Sequence, residues 1–466
     1  MSLNISLFSC GYKKAVIVSF MLTCSATQAF ATSTLMDPPK ALAKIDAQNQ
    51  YFGHAHVVQS GKNVYTAVGF HGATTSMIVG DDGVIMIDAL YGPKSAGDAM
   101  KALRKASGCD LPVKAIIYTH SHDDHIGGAS AYITNETDVR IIGPTGMSFA
   151  NGVDKTLLPL MKIRGPLQFG RHLPKEEQTN RGVAPANTYD ADAGKGFLKP
   201  TEFIDQPTTL NIAGVEIYLR KAPGETNDAM FVWLPQSGVL FTGDNFYQSF
   251  PNLYAIRGTP YRDVRVWAAS LDGMATLNAK YLVPGHTSPI HGQENVKEAL
   301  TGYARAIRNV FDQTVAGMNR LEDPDTIAQS VKLDPDLVNK PWLSEVYGNV
   351  ENASRAIYAG LVGWFDGNPV HLHPLSKMER AEEVLDLCQG VANAIAQIRL
   401  ALKEGRTQWA FELADMISHA KLSAKDHQQV IKLQIQACRE LAKHESNAPN
   451  RNYYLGWAHR LEASLK

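Results

Sequence analysis

The chain has 466 residues, with Lys+Arg 45 against Asp+Glu 46, a formal net charge of -1, 44% hydrophobic residues and 20% charged ones. That balance fits a soluble globular protein with an ample core and excludes a disordered chain, a collagen-like fibre and a polytopic membrane protein. Near neutrality leaves no global electrostatic reason to bind nucleic acid, and length alone allows about three domains.

Residues 1–31 read as a secretory signal peptide. Lys13 and Lys14 precede the apolar run Ala15 to Leu22, and Ala29-Phe30-Ala31 offers an A-x-A cleavage pattern before Thr32. The run is shorter than the ~20 apolar residues a bilayer requires, so no stable membrane anchor is expected after signal removal. The mature protein is therefore expected in the periplasm or secreted. Cys10 and Cys24 leave with the signal; Cys109, Cys388 and Cys438 are too few and too widely spaced for a disulfide framework and read as apolar thiols.

From about residue 54 to 290, short β-rich runs alternate with helices. The strands are expected over Val64–Val68, Ser76–Val79, Val84–Ile87, Val113–Tyr118, Val139–Ile142, Val215–Leu219, Met230–Leu234 and Val239–Thr242, with Asp81-Asp82-Gly83 as a hairpin turn. Residues 145–205, rich in Gly, Pro, Asn, Lys and Arg, read as a long loop insertion, and a loop of that length is usually functional. From Asn295 a helical period takes over: Val296–Leu321, Ser354–Phe365, Ser376–Glu404, Gln408–Ala420, Asp426–Ala442 and Tyr453–Leu465, with Gly405 where a helix C-cap belongs. This divides the chain into a signal (1–31), an α/β part (32–294) and a helical part (295–466).

The chemistry concentrates in Thr119-His120-Ser121-His122-Asp123-Asp124-His125-Ile126-Gly127-Gly128, directly after an apolar strand. In a strand-end turn His120 and His122 point the same way, while Asp124 and His125 open a helix and face a neighbouring point. One loop can thus serve two adjacent metal centres. Imidazole nitrogens and carboxylate oxygens without sulfur suit Zn²⁺, with Mn²⁺ or Fe²⁺ also admissible.

This motif resembles that of the metallo-β-lactamase fold superfamily, which implies an αββα sandwich, here followed by an all-α domain. The resemblance implies that Asp88, closing an apolar strand, supports a ligating histidine. It further implies that Asp244 in Thr242-Gly-Asp-Asn bridges two metals and that His286 in Pro284-Gly-His is the last histidine. Where many members carry Gly-His-Thr, this chain has Gly224-Glu225-Thr226, so Glu225 becomes a ligand, with Asp228 as its alternative. The implied set places His120, His122 and Glu225 on one metal and Asp124, His125 and His286 on the other, two Zn²⁺ per chain.

The glutamate, with Ile256-Arg257-Gly258, Arg262-Asp263, the stretch Gly363-Trp-Phe-Asp-Gly-Asn-Pro369 and Gly405-Arg-Thr-Gln-Trp409, resembles the alkylsulfatase branch. That implies a helical dimerisation domain, hence a homodimer, and a small anionic ester as substrate. Arg257 suits a sulfate because its planar fork matches a tetrahedral oxyanion, and Asn245 is expected to add a hydrogen bond. From the insertion, Arg164, Gln168, Phe169 and Arg171 either wall the pocket or belong to a solvated loop, and Trp364 and Phe365 are expected to anchor core or interface. Two differences weigh against a long-chain detergent substrate. No sterol-carrier-like domain follows before Lys466, and Asp244 stands where the branch has a glutamate. The expected function is metal-dependent hydrolysis of a sulfate ester; the alternatives are hydrolysis of another ester, lactone or β-lactam, and a non-catalytic scaffold.

Overall fold

Apolar runs rich in Val and Ile build two sheets that pack face to face. The computed structural model describes residues 35–133, 138–147, 155–186 and 191–466; the expected signal peptide lies outside them. After α1 (Pro38–Ala47), the first sheet runs in chain order: β1 (His56–Gln59), β2 (Val64–Val68), β3 (Thr75–Val79), β4 (Val84–Ile87), β5 (Val113–Ile117), β6 (Arg140–Pro144) and β7 (Glu202–Ile204). The first four strands pair antiparallel and the rest parallel. The expected hairpin at 81–83 joins β3 to β4, with the Gly80 amide donating to the Gly83 carbonyl at 2.9 Å. β4 is Val-Ile-Met-Ile and is buried at every position, as a central strand covered on both faces must be.

The second sheet has β8 (Thr208–Ile212), β9 (Val215–Lys221), β10 (Met230–Leu234), β11 (Val239–Gly243), β12 (Tyr281–Pro284) and β13 (Ile290–His291), ordered β13-β12-β11-β10-β9-β8. Between the sheets Ile78, Ile85, Ile87 and Ile117 meet Ile217, Met230, Val232 and Phe241. On the outer face of the first sheet lies α2 (Pro93–Ser107), through Ala96, Ala99 and Leu103. α3 (Asp123–Ile126) and α4 (Leu158–Phe169) follow it in the chain. The second sheet is covered by α5 (Val264–Ala275) and α6 (Gln293–Asn319), through Trp267, Leu271, Leu300 and Ile307. The fold is therefore an αββα sandwich with a helical continuation.

That continuation comprises α7 (Pro324–Ser330), α8 (Val350–Val362), α9 (Lys377–Leu387), α10 (Val391–Lys403), α11 (Thr407–Ser418), α12 (Ala424–His444) and α13 (Ala448–Ser464). Two expectations need correction. The single helix over 376–404 is two, because Gln389 and Gly390 take φ of 59° and 105° and turn the chain. The 145–205 insertion is not all loop: it contains α4, whose Pro166 and Gly165 disguise a helix in the sequence. Gly405 does end α10, with φ 76°. Cys109, Cys388 and Cys438 are free thiols, and among the described residues no helix is long and apolar enough to cross a membrane.

Candidate metal centre

Strand ends of both sheets converge on one point, and backbone geometry at two glycines permits it. A Cβ on Gly128 would lie 2.5 Å from the carbonyls of Ala89 and Gly92, and one on Gly285 would lie 2.2 Å from Oδ1 of Asp244. Only glycine lets the loop after β4 close on the His-rich turn and lets the turn after β12 reach the carboxylate.

Asp88 organises the turn. It sits at φ 57°, a conformation costing a non-glycine residue about 1–2 kcal/mol, and its Thr75 neighbour secures it by donating from Oγ1 to the Asp88 carbonyl at 2.8 Å. Its carboxylate accepts from the Thr119 amide at 2.7 Å and the Thr119 hydroxyl at 2.9 Å. It lies 2.7 Å from Nδ1 of His125. Since the Thr119 hydroxyl proton goes to Asp88, its oxygen accepts from Nδ1 of His120 at 2.9 Å. On the opposite side Nδ1 of His286 donates to the Gly72 carbonyl at 2.7 Å. Each of these three rings is thereby held by Nδ1, with Nε2 directed inward, the usual arrangement of a metal-ligating histidine.

All three Nε2 atoms face Asp244. Its Oδ2 is 3.2 Å from Nε2 of His120 and 3.1 Å from Nδ1 of His122, while its Oδ1 is 3.1 Å from Nε2 of His125 and 3.4 Å from Nε2 of His286. The carboxylate thus offers one oxygen to each pair of histidines. Asp124 approaches from the second side, its Oδ2 3.7 Å from His286. Donor atoms of Asp124, His125 and His286 lie within 4.8 Å of one another, as do those of His122, Glu225 and Asp244 and those of His120, His125 and Asp244. The seven expected donors all fall in these overlapping groups: His120 shares Asp244 with the group of His122 and Glu225, and His125 with that of Asp124 and His286. Asp228 lies outside these groups.

Charge in this cluster is concentrated and nearly dry. Burial raises the Asp244 carboxyl, but His125, His286 and His120 outweigh it and hold it well below the usual carboxylate range. Burial lowers His125, yet Asp244 and Asp88 carry it well above the ordinary histidine value, whereas burial and His120 push His122 down to about 4. Nε2 of His120 and His125, Oδ1 of Asp244 and Oε2 of Glu225 are buried and, among the described residues, lack a properly directed hydrogen bond. Orphaned buried donors of this kind are costly, and a divalent cation satisfies them together. The residues fit such ions.

Glu225 is oriented from behind. Nη1 of Arg262 lies 3.0 Å from its Oε1 and also donates to the Asn252 carbonyl. Asn245 spends both ends of its amide on the same loop, accepting from the Glu225 amide at 3.1 Å and donating to the Ala222 carbonyl at 2.6 Å. It is fully buried and does not line the cavity.

A cavity of about 100 Å³ opens above the donors, bounded by Asp123, Tyr91, Phe169, Arg171, Arg181, Arg257 and Tyr347 among others. Arg257 enters it with its guanidinium carbon 5.7 Å from the Phe169 centroid. Of the expected insertion residues, Phe169 and Arg171 form the wall. Gln168 accepts from the Arg257 amide at 2.8 Å, and Arg164 donates to the Ile256 carbonyl, so both brace the Arg257 segment. Arg181, Tyr91 and Tyr347 were not singled out in the sequence: each is isolated from any motif and reaches the site only through folding.

Comparison with known proteins agrees with this geometry. Residues 68–286 match the model of the metallo-beta-lactamase superfamily and residues 323–464 that of alkyl sulfatase dimerisation. A linear primary-alkylsulfatase from Pseudomonas sp. is 33% identical over 403 residues, 84% of this chain and 74% of that protein. An (R)-specific secondary-alkylsulfatase from Pseudomonas sp. is 29% identical, covering 85% of this chain, which spans 61% of that relative. The solved structure of a stereoselective inverting sec-alkylsulfatase from Pseudomonas sp. superposes with TM-score 0.81 at 25% identity, over 92% of this chain and 68% of that one. With its sandwich, its seven converging donors and its helical continuation, the chain belongs to the alkylsulfatase branch of the metallo-β-lactamase superfamily.

Proposed function

We propose that this protein hydrolyses a sulfate ester at a centre of two divalent cations, Zn²⁺ foremost. The supporting observation is the division of Asp244 between two histidine pairs, beside a cavity that Arg257 enters. His120, His122 and Glu225 would hold one ion, Asp124, His125 and His286 the other, with Asp244 between them. Two such ions supply hydroxide at neutral pH and Lewis acidity toward an ester.

The chain's own residues do the rest. Arg257, resting on Phe169, offers a planar fork to sulfate oxygens. Asp88, Thr119 and the Gly72 carbonyl fix the tautomers of His125, His120 and His286, and Arg262 with Asn245 fixes Glu225. The hydrolase class follows from the enzyme relatives, whose names specify primary-alkyl, secondary-alkyl and alkyl/aryl sulfatases.

Export directed by residues 1–31, a catalytic part through residue 294 and a helical part that pairs two chains complete the proposal. Pairing draws support from the match of 323–464 to the dimerisation model. It also draws on exposed apolar side chains at the end of α8, Val362, and between α8 and α9, among them Trp364, Val370 and Leu375. The decisive experiment measures bound metal and turnover of alkyl and aryl sulfates by the purified chain and by Asp124→Ala. Two metals per chain and sulfatase turnover lost in the variant are expected. A metal-loaded parent that turns over lactones or β-lactams but no sulfate ester would overturn it.

A further inference from the structure

Three guanidinium groups share a single aromatic ring at the cavity. Those of Arg171, Arg181 and Arg257 lie 5.5, 5.7 and 5.7 Å from the Phe169 centroid, so any two are separated by at most about twice that distance. Arg257 comes from the segment after β11, whereas Arg171 and Arg181 come from the insertion, and all three line the cavity. Arg171 is also 5.9 Å from the Tyr91 centroid.

Arg181 is the most telling of the three. Its Nε donates to the Pro185 carbonyl at 3.1 Å, but its Nη2 is buried and, among the described residues, has no hydrogen-bond partner. Burial, with Arg171 adding to it, pushes its guanidinium down to about 10. Asp124 is the one carboxylate acting on it, and a buried guanidinium N–H left unpaired is costly unless a ligand supplies the acceptor.

Outside the metal-donor set, the described charged wall of the cavity is Asp123, Arg171, Arg181 and Arg257. Asp123 answers one of these cations. A sulfate monoester, with a single negative charge, answers a second. Among the described residues the third remains unmatched outside the donor set, and the apolar wall consists of Phe169, Val183, Ala184 and parts of two tyrosines, too little to sheathe a long alkyl tail.

We propose that Arg171 and Arg181 form a second anion-binding subsite, and that the substrate is a short sulfate ester whose alcohol part carries another anionic group such as a carboxylate. This rests on the sulfate-ester reading above and specifies its substrate class. Arg257 takes the sulfate, and the insertion takes the second anion.

The test uses the metal-loaded full chain and two sulfonates of equal length that cannot be hydrolysed, hexanesulfonate and its ω-carboxy analogue, titrated calorimetrically. The carboxylated probe is expected to bind the parent about tenfold or more tighter, the scale of one charge-assisted contact. Arg171→Gln and Arg181→Gln should bring the two affinities together, with Arg181→Lys restoring part of the difference. In turnover of the matching sulfate esters, the loss should fall on KM for the carboxylated ester more than on kcat. If Arg181→Gln fails to fold, the exposed Arg171→Gln carries the same comparison. Equal affinity of both probes for the parent, or a preference that survives both glutamine variants, overturns the second subsite while leaving the sulfatase reading intact. A parent that binds neither sulfonate and turns over no sulfate ester overturns both.

Discussion

Arg262 and Glu225 form an ion pair at 3.0 Å in which both side chains are almost wholly removed from solvent. In the proposed centre the pair explains how a glutamate can serve where a histidine is more familiar. Oε1 is held by the guanidinium, and Oε2, which has no hydrogen-bond partner among the described residues, remains for the proposed cation. Burial raises the Glu225 carboxyl and Arg262 opposes it.

Removing Arg262 leaves a buried carboxylate uncompensated. Arg262→Met is expected to cost about 3–5 kcal/mol of stability, the usual effect of breaking a buried pair from one side. Urea unfolding of the metal-free protein measures it, and a loss below about 1 kcal/mol would show that Glu225 is held by other groups.

Asp88 contacts His125 and, through Thr119, His120. Asp88→Asn replaces an acceptor by an amide that also donates, which disturbs both tautomers. Metal affinity should fall about 10–100-fold, the range seen for outer partners of metal ligands. Competition with a chelator gives the value directly, and unchanged affinity refutes the orienting role.

Trp364 is 74% exposed in the single chain and its ring meets Phe365 edge-on at 5.5 Å. The expectation that it anchors the core is therefore set aside, and the interface remains. Sedimentation should show a dimer for the parent and, for Trp364→Ser, a dissociation constant at least about tenfold higher, as loss of a central aromatic anchor produces. A monomeric parent sinks the pairing proposal.

Glu177 clasps the insertion to the last two helices, with Oε1 at 2.6 Å from Arg439 and Oε2 at 2.7 Å from His459. Burial raises its carboxyl, but Arg439 and His459 prevail and the net shift is downward. A carboxyl with a depressed native value stabilises fully above its unfolded value near 4.5, and that contribution disappears as pH falls through the native value. Glu177→Gln should thus be less stable than the parent at neutral pH by about 0.5–1 kcal/mol, since Arg439 and His459 are each about a third exposed to solvent. The difference should shrink on acidification below the unfolded value. Denaturation midpoints across pH 7 to 3 follow it; a gap that does not narrow contradicts the assignment.

Much of the candidate site was legible because four of its proposed metal ligands are close together in the chain. His120, His122, Asp124 and His125 fall within six residues, so a strand end and one turn suffice to aim them at neighbouring points. Asp88, Glu225, Asp244 and His286 each needed the family resemblance, since a lone carboxylate or histidine after an apolar strand has many ordinary explanations. Arg171 carries only the signal of an insertion residue in the sequence, and Arg181 and Tyr347 carry none. They sit on segments without hydrophobic period, where nothing local specifies which way a side chain points.

The same division holds for the fold. Apolar alternation and turn residues in the sequence by themselves determined the strands, the hairpin at 81–83, most of the helices and the loop that gathers histidines, because those depend on neighbours within a few residues. Tertiary structure alone decided that both oxygens of Asp244 are shared between two histidine pairs, that Arg262 lies behind Glu225, and that three arginines meet over Phe169. Each of these joins residues from separate segments, and such contacts arise only when burying apolar surface brings the two sheets and the insertion together.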